Sequence, residues 1–484
     1  MAYSLMNSFR RISASLYLAI LAGMAWAQNP VPQVVGPPSP QAVKPGGGDF
    51  TLKVFGANFV PGSVVNWNRQ ESATKYVSGH EVDATILASD IVANTAGYIT
   101  VTNPPPGGGV SSSSWALVEV HNPTTTIAPS PPKIYYYQNG GEVTQLLVAD
   151  FNNDGIMDLA DSNAADRISI LLGDGLGNFN FSHMATWDYW PAFGLNNATY
   201  GDFNGDGNLD LAYQAYFGPN NPTGLAVSLA NGDGTFHQAW LRDDSALIGA
   251  LAGDFNRDGK LDLIAGDAAP YTKVFLGNGD GTFDLFKTYN FGGILRQAGD
   301  FNGDGILDLV FVPDALPTGV YVTLGNGDGT FKTPRKVASF DGKICVFSPT
   351  VLVNDFNGDG NLDIAYCAGT EIGVLLGNGD GTFQRAKYYY VDSKTEFSFT
   401  AGDFNSDGKT DLLVSDHSAF VSNPTSILLG NGDGTFQPKQ FVPLQPKSSN
   451  GQGGIVVGDF NYDGLLDFLY QEGGFGFAEY LQKP

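Results

Sequence analysis

One nine-residue pattern occurs seven times in this chain, and it restricts the fold more than any other feature. The pattern is D-F-N-x-D-G-x-x-D, and its copies begin at positions 150, 202, 254, 300, 355, 403 and 459. A second pattern, close to L-G-N-G-D-G-T-F, follows six of the seven copies. Repetition at such spacings is typical of proteins built from one small structural unit used many times.

Each unit is predicted to contain four β-strands. In the unit that begins at residue 397, the segments FSFTAG, DLLVSD, TSILLG and TFQPKQFVPL alternate with turn sequences. NGDG, before the last of them, places Gly where a hairpin turn needs a positive φ. Seven units of four antiparallel strands predict an all-β fold, a seven-bladed β-propeller.

The two ends of the repeat region support closure into a ring. The seventh unit ends at GFGFAEYLQKP without a fourth strand, while an extra strand-like segment, 133–139, precedes the first unit. We therefore expect 133–139 to complete the last blade, which removes two exposed sheet edges. The propeller is predicted to span 133–484.

The repeated loop has the oxygen ligands that calcium prefers. Positions 1, 3, 5 and 9 offer side-chain oxygens, position 7 offers a carbonyl, and Gly at position 6 permits a sharp turn. The sequence predicts up to seven Ca²⁺ ions, one per blade. The predicted ligands are Asp150, Asn152, Asp154, Asp158, Asp202, Asn204, Asp206, Asp210, Asp254, Asn256, Asp258, Asp262, Asp300, Asn302, Asp304, Asp308, Asp355, Asn357, Asp359, Asp363, Asp403, Asn405, Asp407, Asp411, Asp459, Asn461, Asp463 and Asp467.

The alternative interpretation is a set of polar turns that use Asn and Asp for backbone reasons. The repeated last Asp favours calcium, because turn geometry alone does not require it. An EF-hand is excluded, since no copy has Glu at position 12. Phe occupies position 2 in all seven copies, and we expect these rings to pack between blades.

These residues resemble the FG-GAP/VCBS repeat family, whose propellers include the head of integrin α-subunits. The resemblance covers about 133–484. In that family D-x-N-x-D-G-x-x-D loops bind calcium, so the resemblance implies the same role for the loops of this chain.

The segment before the repeats has a different pattern. Residues 33–120 contain alternating strands such as 51–55 and 99–101 between Gly/Pro turns, as in a small β-sandwich. They resemble IPT/TIG immunoglobulin-like domains, which act as spacers or binding modules. Residues 28–32 form a short leader to this domain, and the Pro/Thr-rich segment 121–132 is predicted to be a linker.

The N-terminus reads as an export signal. Arg10 and Arg11 precede an apolar run, and Ala25-Trp26-Ala27 is a cleavage site. The predicted product is a secreted or periplasmic protein without a transmembrane segment. Cys345 and Cys367 are the only cysteines; after export they could form a disulfide or remain two buried thiols.

The charge agrees with a cation-binding protein. The whole chain has a formal charge of −24, and removal of 1–27, which holds two Arg and no acid, leaves −26. Such a chain repels phosphates, so nucleic acid is not an expected partner. Seven Ca²⁺ ions would reduce the charge to −12.

A partner is expected on the face opposite the calcium loops, where the connections are longer and less uniform. Two of these connections carry aromatic side chains that could stack on a glycan or anchor a protein: Trp187, Tyr189, Trp190, Tyr216 and Phe217. Packing between blades is the other explanation for these rings.

The chain has no recognisable catalytic motif. Its five His show no zinc spacing, and no G-x-S-x-G elbow is present. The sequence therefore favours a non-enzyme: a secreted calcium-binding adhesion or ligand-recognition protein for a glycan or protein. The alternatives are a carbohydrate-active enzyme, either a lyase or a glycosidase, on the same scaffold, and a non-catalytic extracellular scaffold.

Overall fold

The structure is a computed structural model that describes residues 28–111, 116–124, 127–136, 143–163, 167–185, 198–216, 223–242, 247–267, 271–291, 293–313, 319–340, 351–391, 397–416, 425–444, 455–472 and 476–483. Within these ranges the protein is all-β, and the one helix is a 3-10 turn at Ala88–Ile91. This confirms the all-β part of the predicted fold class.

The first part of the chain forms two sheets. In chain order, the strands are β1 (Gln33–Val34), β2 (Ala42–Val43), β3 (Phe50–Ala57), β4 (Val64–Trp67), β5 (Gln70–Glu71), β6 (Ala73–Tyr76), β7 (Glu81–Ile86), β8 (Thr95–Asn103), β9 (Gly109–Val110) and β10 (Leu117–Val120). One sheet has the order β1-β3-β7-β6; the other has the order β2-β10-β8-β4-β5, with β9 beside β8. We call residues 28–120, which contain these two sheets, the N-terminal module.

Both sheets contribute to one core. Val54 and Val82 come from the first sheet and Val65, Trp67 and Val101 from the second, and all five are buried in the same cluster. Buried residues alternate with more accessible ones in the first half of β3 and along most of β8, as in strands with one face on a core, whereas the second half of β3 is buried throughout.

The repeat region forms seven four-stranded antiparallel sheets within the described residues. The first three sheets contain β12 (Val143–Ala149), β13 (Asp158–Asn163), β14 (Arg167–Gly173) and β15 (Phe179–Ala185); β16 (Thr199–Gly201), β17 (Asp210–Tyr216), β18 (Thr223–Ala230) and β19 (Phe236–Arg242); and β20 (Leu247–Gly253), β21 (Asp262–Asp267), β22 (Thr272–Gly277) and β23 (Phe283–Tyr289).

The next three sheets have the same order. They contain β24 (Ile294–Gly299), β25 (Asp308–Val312), β26 (Gly319–Thr323) and β27 (Arg335–Ser339); β28 (Val351–Asn354), β29 (Asp363–Ala368), β30 (Glu371–Leu375) and β31 (Lys387–Tyr390); and β32 (Phe397–Gly402), β33 (Asp411–Asp416), β34 (Thr425–Leu428) and β35 (Gln440–Phe441).

The last sheet joins the two ends of the repeat region. Its strands are β11 (Lys133–Tyr136), β36 (Ile455–Gly458), β37 (Asp467–Glu472) and β38 (Gly476–Tyr480), in the order β11-β38-β37-β36. Lys133 pairs with Glu479 and Tyr136 with Gly476, in antiparallel register.

The fourth strand of the sixth sheet is shorter than the sequence suggested. The segment that begins at Thr435 forms an isolated bridge at Phe436 and joins the regular ladder at Gln440. The same interval separates Phe383 from the start of β31 in the fifth sheet, where no Pro is present, so this irregular step belongs to the repeat and does not depend on Pro438.

The first strands of all seven sheets surround one cavity of about 560 Å³. The loop end of this cavity is lined by residues of the N-terminal module, among them Gln33, Gly36 and Gln41. Neighbouring first strands are linked by side chains: Gln145 accepts a hydrogen bond from the Ala198 N–H at 2.8 Å.

The position-2 Phe rings connect neighbouring sheets. Phe301 is buried and lies edge-to-face against Phe383, with ring centroids 5.9 Å apart, while the Phe301 carbonyl accepts the Gly381 N–H. Four other position-2 rings pair in the same way with the Phe that ends the second repeated pattern (L-G-N-G-D-G-T-F) in the following unit. Phe460 of the last unit pairs with Phe179 of the first.

The Phe301→Leu substitution is expected to lower the free energy of unfolding by about 1–2 kcal/mol, because it removes an aromatic pair and leaves a small cavity. Phe286→Leu is the matched control, since Phe286 lies exposed on an outer strand. Urea unfolding followed by tyrosine and tryptophan fluorescence measures both. Equal stability of the two variants would contradict a connecting role for Phe301.

Candidate functional site

The seven nonapeptide loops connect the first and second strands of the seven sheets, and they share one hydrogen-bond pattern. In the fourth loop, the Asp304 N–H lies 3.2 Å from Asp300 Oδ1 and 3.0 Å from Asn302 Oδ1. The equivalent pair of contacts occurs in the other six loops. The side-chain oxygens of positions 1 and 3 therefore converge on one point in every loop.

The remaining oxygens also face the loop backbone. In the fourth loop, Asp300 Oδ2 accepts the Gly305 N–H at 2.7 Å, and Asp304 Oδ1 accepts the Ile306 N–H at 2.9 Å. Both contacts occur in all seven loops. Three predicted ligands are thus held within one short turn.

Two backbone positions of each loop are left-handed. Gly at position 6 has φ between 77° and 89°, as the sequence analysis anticipated. Position 4 is also left-handed, although only three loops have Gly there; the others hold Asn153, Arg257, Ser406 and Tyr462. A side chain in this conformation costs roughly 1 kcal/mol, so these four residues need a compensating interaction.

The position-9 Asp has a structural role that the sequence analysis missed. Asp308 is fully buried, and its two oxygens accept the Phe301 N–H at 3.0 Å and the Gly325 N–H at 2.8 Å. These two contacts attach the start of the loop to the end of the third strand. The equivalent contacts occur in the other six units, with Gln482 N–H as the second donor in the last.

Burial changes the electrostatics of these carboxylates. Burial, helped by the nearby charges of Asp300 and Asp304, raises the pKa of Asp308 to about 8 against the lowering effect of the two backbone hydrogen bonds. The pKa of Asp262 is raised to about 8 and that of Asp158 to about 7, with burial again the largest cause. Negative charge in these loops is therefore costly unless a cation accompanies it.

The N-terminal module covers the loop face. Its residues contact the third loop through Val31 N–H, which lies 2.8 Å from Asp254 Oδ2, and the fourth through Asn58 N–H, which lies 2.9 Å from the Gly305 carbonyl. Tyr98 donates to the Asp459 carbonyl of the seventh loop at 2.7 Å. Arg69 contacts the first loop, His80 contacts the fifth and Glu119 contacts the sixth.

The second loop differs from the other six. No hydrogen bond from a described residue of the N-terminal module reaches residues 202–210, and the space around Gly205 and Gly207 is open. This loop therefore provides an internal reference for the effect of the module.

His80 of the N-terminal module lies against the fourth loop. Its Nδ1 lies 2.9 Å from the Gly56 carbonyl and 3.2 Å from Asp300 Oδ2, and its Nε2 lies 3.0 Å from the Gly360 carbonyl. Because oxygens face both ring nitrogens, the doubly protonated ring fits this position. Burial acts to lower the pKa of His80, but the bonds to Asp300 and to the two carbonyls outweigh burial and raise it.

The donor set of each loop fits calcium in its chemistry. Every side-chain donor is an oxygen, and positions 1, 3 and 5 converge, as a hard cation with six to eight oxygen ligands requires. As the side chains stand, no group of three His, Cys, Asp or Glu among the described residues forms a ready metal cage. The carboxylates are instead turned towards backbone N–H groups, so a cation would have to redirect some of these oxygens.

Several predicted features lie outside the described residues. The export signal 1–27 is among them, as are Trp187, Tyr189, Trp190 and Phe217, and Tyr216 is described only as part of strand β17. Cys367 is in a disulfide; the only other cysteine of the chain, Cys345, is not among the described residues. No described helix is long and apolar enough to cross a membrane.

Three segments of the chain match the FG-GAP-like repeat family: 150–213, 254–311 and 355–414. The chain contains FG-GAP-like repeats. Each matched segment begins at a nonapeptide loop and includes two of them, so the FG-GAP-like repeats account for six of the seven loops. No curated protein sequence matches the chain.

Solved structures with a similar fold have low sequence identity. A lectin of Agrocybe aegerita that recognises non-reducing terminal N-acetylglucosamine is 18% identical, with 78% of this chain and 93% of that chain covered and a TM-score of 0.47. An auxiliary nutrient binding protein from Bacteroides ovatus is 11% identical, with 93% and 98% covered and a TM-score of 0.39. A rhamnogalacturonan lyase of Bacillus licheniformis is 11% identical, with 94% and 90% covered and a TM-score of 0.40. Similarity this low carries no argument about function.

Proposed function

We propose that this chain is an exported calcium-binding recognition protein. Its repeat region is a seven-bladed β-propeller, and its N-terminal module is an immunoglobulin-like domain of the IPT/TIG type. The propeller presents the face opposite the calcium loops to a glycan or a protein. The relation to integrin α-subunits remains a resemblance of the loop motif.

The observation that carries the calcium assignment is the repeated convergence of oxygens. In all seven loops the backbone N–H of position 5 is shared by the position-1 carboxylate and the position-3 amide oxygen. A polar turn needs only one such acceptor, whereas a calcium shell needs several oxygens together. Bound calcium would supply the positive charge that this cluster of carboxylates lacks.

The position of the N-terminal module supports recognition on the opposite face. Since the module lies over six of the seven loops, that side of the repeat region is largely covered. The connections from fourth to first strands and from second to third strands, which hold the predicted aromatic residues, belong to the other side. A partner would therefore meet these longer connections and the mouth of the central cavity.

The same geometry supports binding rather than catalysis. Among the described residues that line the cavity, the acids are Glu119 and Asp403. Asp403 accepts N–H groups of its own loop, and Glu119 accepts the Ser406 hydroxyl. Both acids lie at the end covered by the N-terminal module, away from the longer connections where a substrate would enter.

A glycan array tests the proposed function. Residues 28–484 are applied in millimolar calcium and, as a control, in excess chelator. We expect calcium-dependent binding to one class of glycan and at least a tenfold loss of binding in the double variant W187A/W190A, because ring stacking on sugars contributes a large part of such affinities.

The matched control is Phe441→Ala, which removes an exposed aromatic ring from an outer strand. It is expected to bind like the parent protein. Failure of the folded parent to bind any glycan would refute the glycan proposal and direct the search to protein partners. Turnover of a bound glycan would instead support the enzyme alternative.

A further inference from the structure

A two-residue hairpin turn of the N-terminal module reaches the first loop. Asn68 and Arg69 connect β4 and β5, with φ values of 47° and 67°. Turns with two left-handed residues usually have Gly at the second position, because a side chain is strained there. Arg69 occupies that position, which indicates that its side chain has an interaction that compensates for the strain.

The guanidinium of Arg69 binds the first loop at two residues. It donates to Asp150 Oδ2 and to the Asn153 carbonyl, the latter at 2.6 Å, and lies 3.4 Å from Asn153 Oδ1. Asn153 is the left-handed residue at position 4 of that loop. Two residues with positive φ, Arg69 of the N-terminal module and Asn153 of the first loop, thus meet in this contact.

With this contact, Asp150 Oδ2 accepts two hydrogen bonds. Asp150 Oδ2 also accepts the Gly155 N–H at 2.8 Å, so both of its lone pairs are engaged. In the second loop the equivalent oxygen, Asp202 Oδ2, accepts only the Gly207 N–H among the described donors. The first loop therefore differs from the second in having a fixed positive charge on its position-1 carboxylate.

We propose that Arg69 is the built-in cation of the first loop, and that this loop consequently binds calcium more weakly than the loops without such a residue. This inference rests on the calcium assignment of the proposed function. A guanidinium beside a divalent ion reduces the affinity for that ion by about tenfold in water-like surroundings. Arg69 also attaches the N-terminal module to the repeat region when calcium is absent.

Calcium counting tests this assignment. The full mature chain, 28–484, is stripped of metal and titrated with calcium against a chromophoric chelator, while native mass spectrometry counts the bound ions. Four proteins are compared: the parent, R69G, R69Q and K53A. Glycine suits the φ of position 69, so R69G keeps the turn, and R69Q keeps a polar side chain without the charge.

We expect R69G and R69Q to bind calcium about tenfold more tightly than the parent at one site, with the other sites unchanged. K53A is the charge-matched control, because Lys53 pairs with Glu81 on the surface of the same module, 2.6 Å away, and contacts no loop. It should titrate like the parent.

Two results overturn the proposal in different ways. If R69G and R69Q titrate like K53A while calcium binds, Arg69 is not the cation of the first loop. If none of the four folded proteins binds calcium, the calcium part of the proposed function fails, and the assignment of Arg69 fails with it.

Discussion

Removal of calcium is expected to lower the melting temperature of this protein by at least about 10 °C. Each site filled at a hundred times its Kd stabilises the native state by about 2.7 kcal/mol, and the proposed function assigns one such site to each loop. For domains of this size, each kilocalorie per mole corresponds to roughly 2–4 °C. Differential scanning calorimetry in millimolar calcium and in excess chelator measures the shift.

The loop variant D206N separates calcium binding from general salt effects. Asp206 is at position 5 of the second loop, which receives no hydrogen bond from a described residue of the N-terminal module, and its loss should remove the contribution of one site only. Asp233→Asn is the matched control, because Asp233 is an exposed turn residue in the same sheet, bonded to Thr235. An unchanged melting temperature in chelator would refute the calcium assignment for all loops.

The effect of the chelator should grow with pH. The pKa of Asp308 is about 8 in the folded protein against about 4 in an unfolded chain. The folded state therefore holds more protons between these values, and its stability without calcium is greatest near pH 4 and is lost as the pH rises through 8. With calcium bound, the carboxylates are already neutralised, so the difference between the two scans widens from pH 5 to pH 8.

The Asp308→Ala substitution should lower the free energy of unfolding by about 3–6 kcal/mol even in chelator. It leaves the Phe301 and Gly325 N–H groups buried without acceptors, and each such loss costs about 1–3 kcal/mol. The removed side chain also leaves a small cavity. Chemical unfolding in excess chelator gives the value without any contribution from calcium.

The control for this substitution is Asp328→Ala in the hairpin turn of the same sheet. Asp328 accepts the Thr330 N–H at 2.9 Å but is exposed, so water replaces its bonds. We expect a loss below about 1 kcal/mol. Similar losses for the two variants would mean that the position-9 Asp does not connect the loop to the third strand.

The periodic part of the fold could be predicted from the sequence. The nonapeptide fixes where each first strand ends and each second strand begins, because Asp308 at position 9 starts β25 just as Asp411 starts β33. The pairing of β11 with β38 follows from the missing last strand of the seventh unit. Position-2 Phe packing is predictable too, since an apolar residue inside a polar loop needs a buried place.

The contacts between the N-terminal module and the loops could not be predicted. They depend on single residues such as Arg69, His80 and Glu119, which belong to no repeat and lie far from the loops in sequence. The left-handed position 4 offered a signal, because Asn153, Arg257, Ser406 and Tyr462 replace the Gly found in the three other loops. Asn153 and Ser406 bond to the module, and the Tyr462 ring lies 5.5 Å from that of Tyr98.

The last sheet determines how the protein responds to a pulling force. The chain enters β11 at Lys133 and leaves β38 at Tyr480, and the register places these ends side by side, with Lys133 opposite Glu479. Tension between the N-terminal module and the C-terminus therefore acts at one end of an antiparallel ladder and separates its hydrogen bonds one after another. We expect β11 and β38 to separate at a lower force than a strand pair whose hydrogen bonds are all loaded at once in shear.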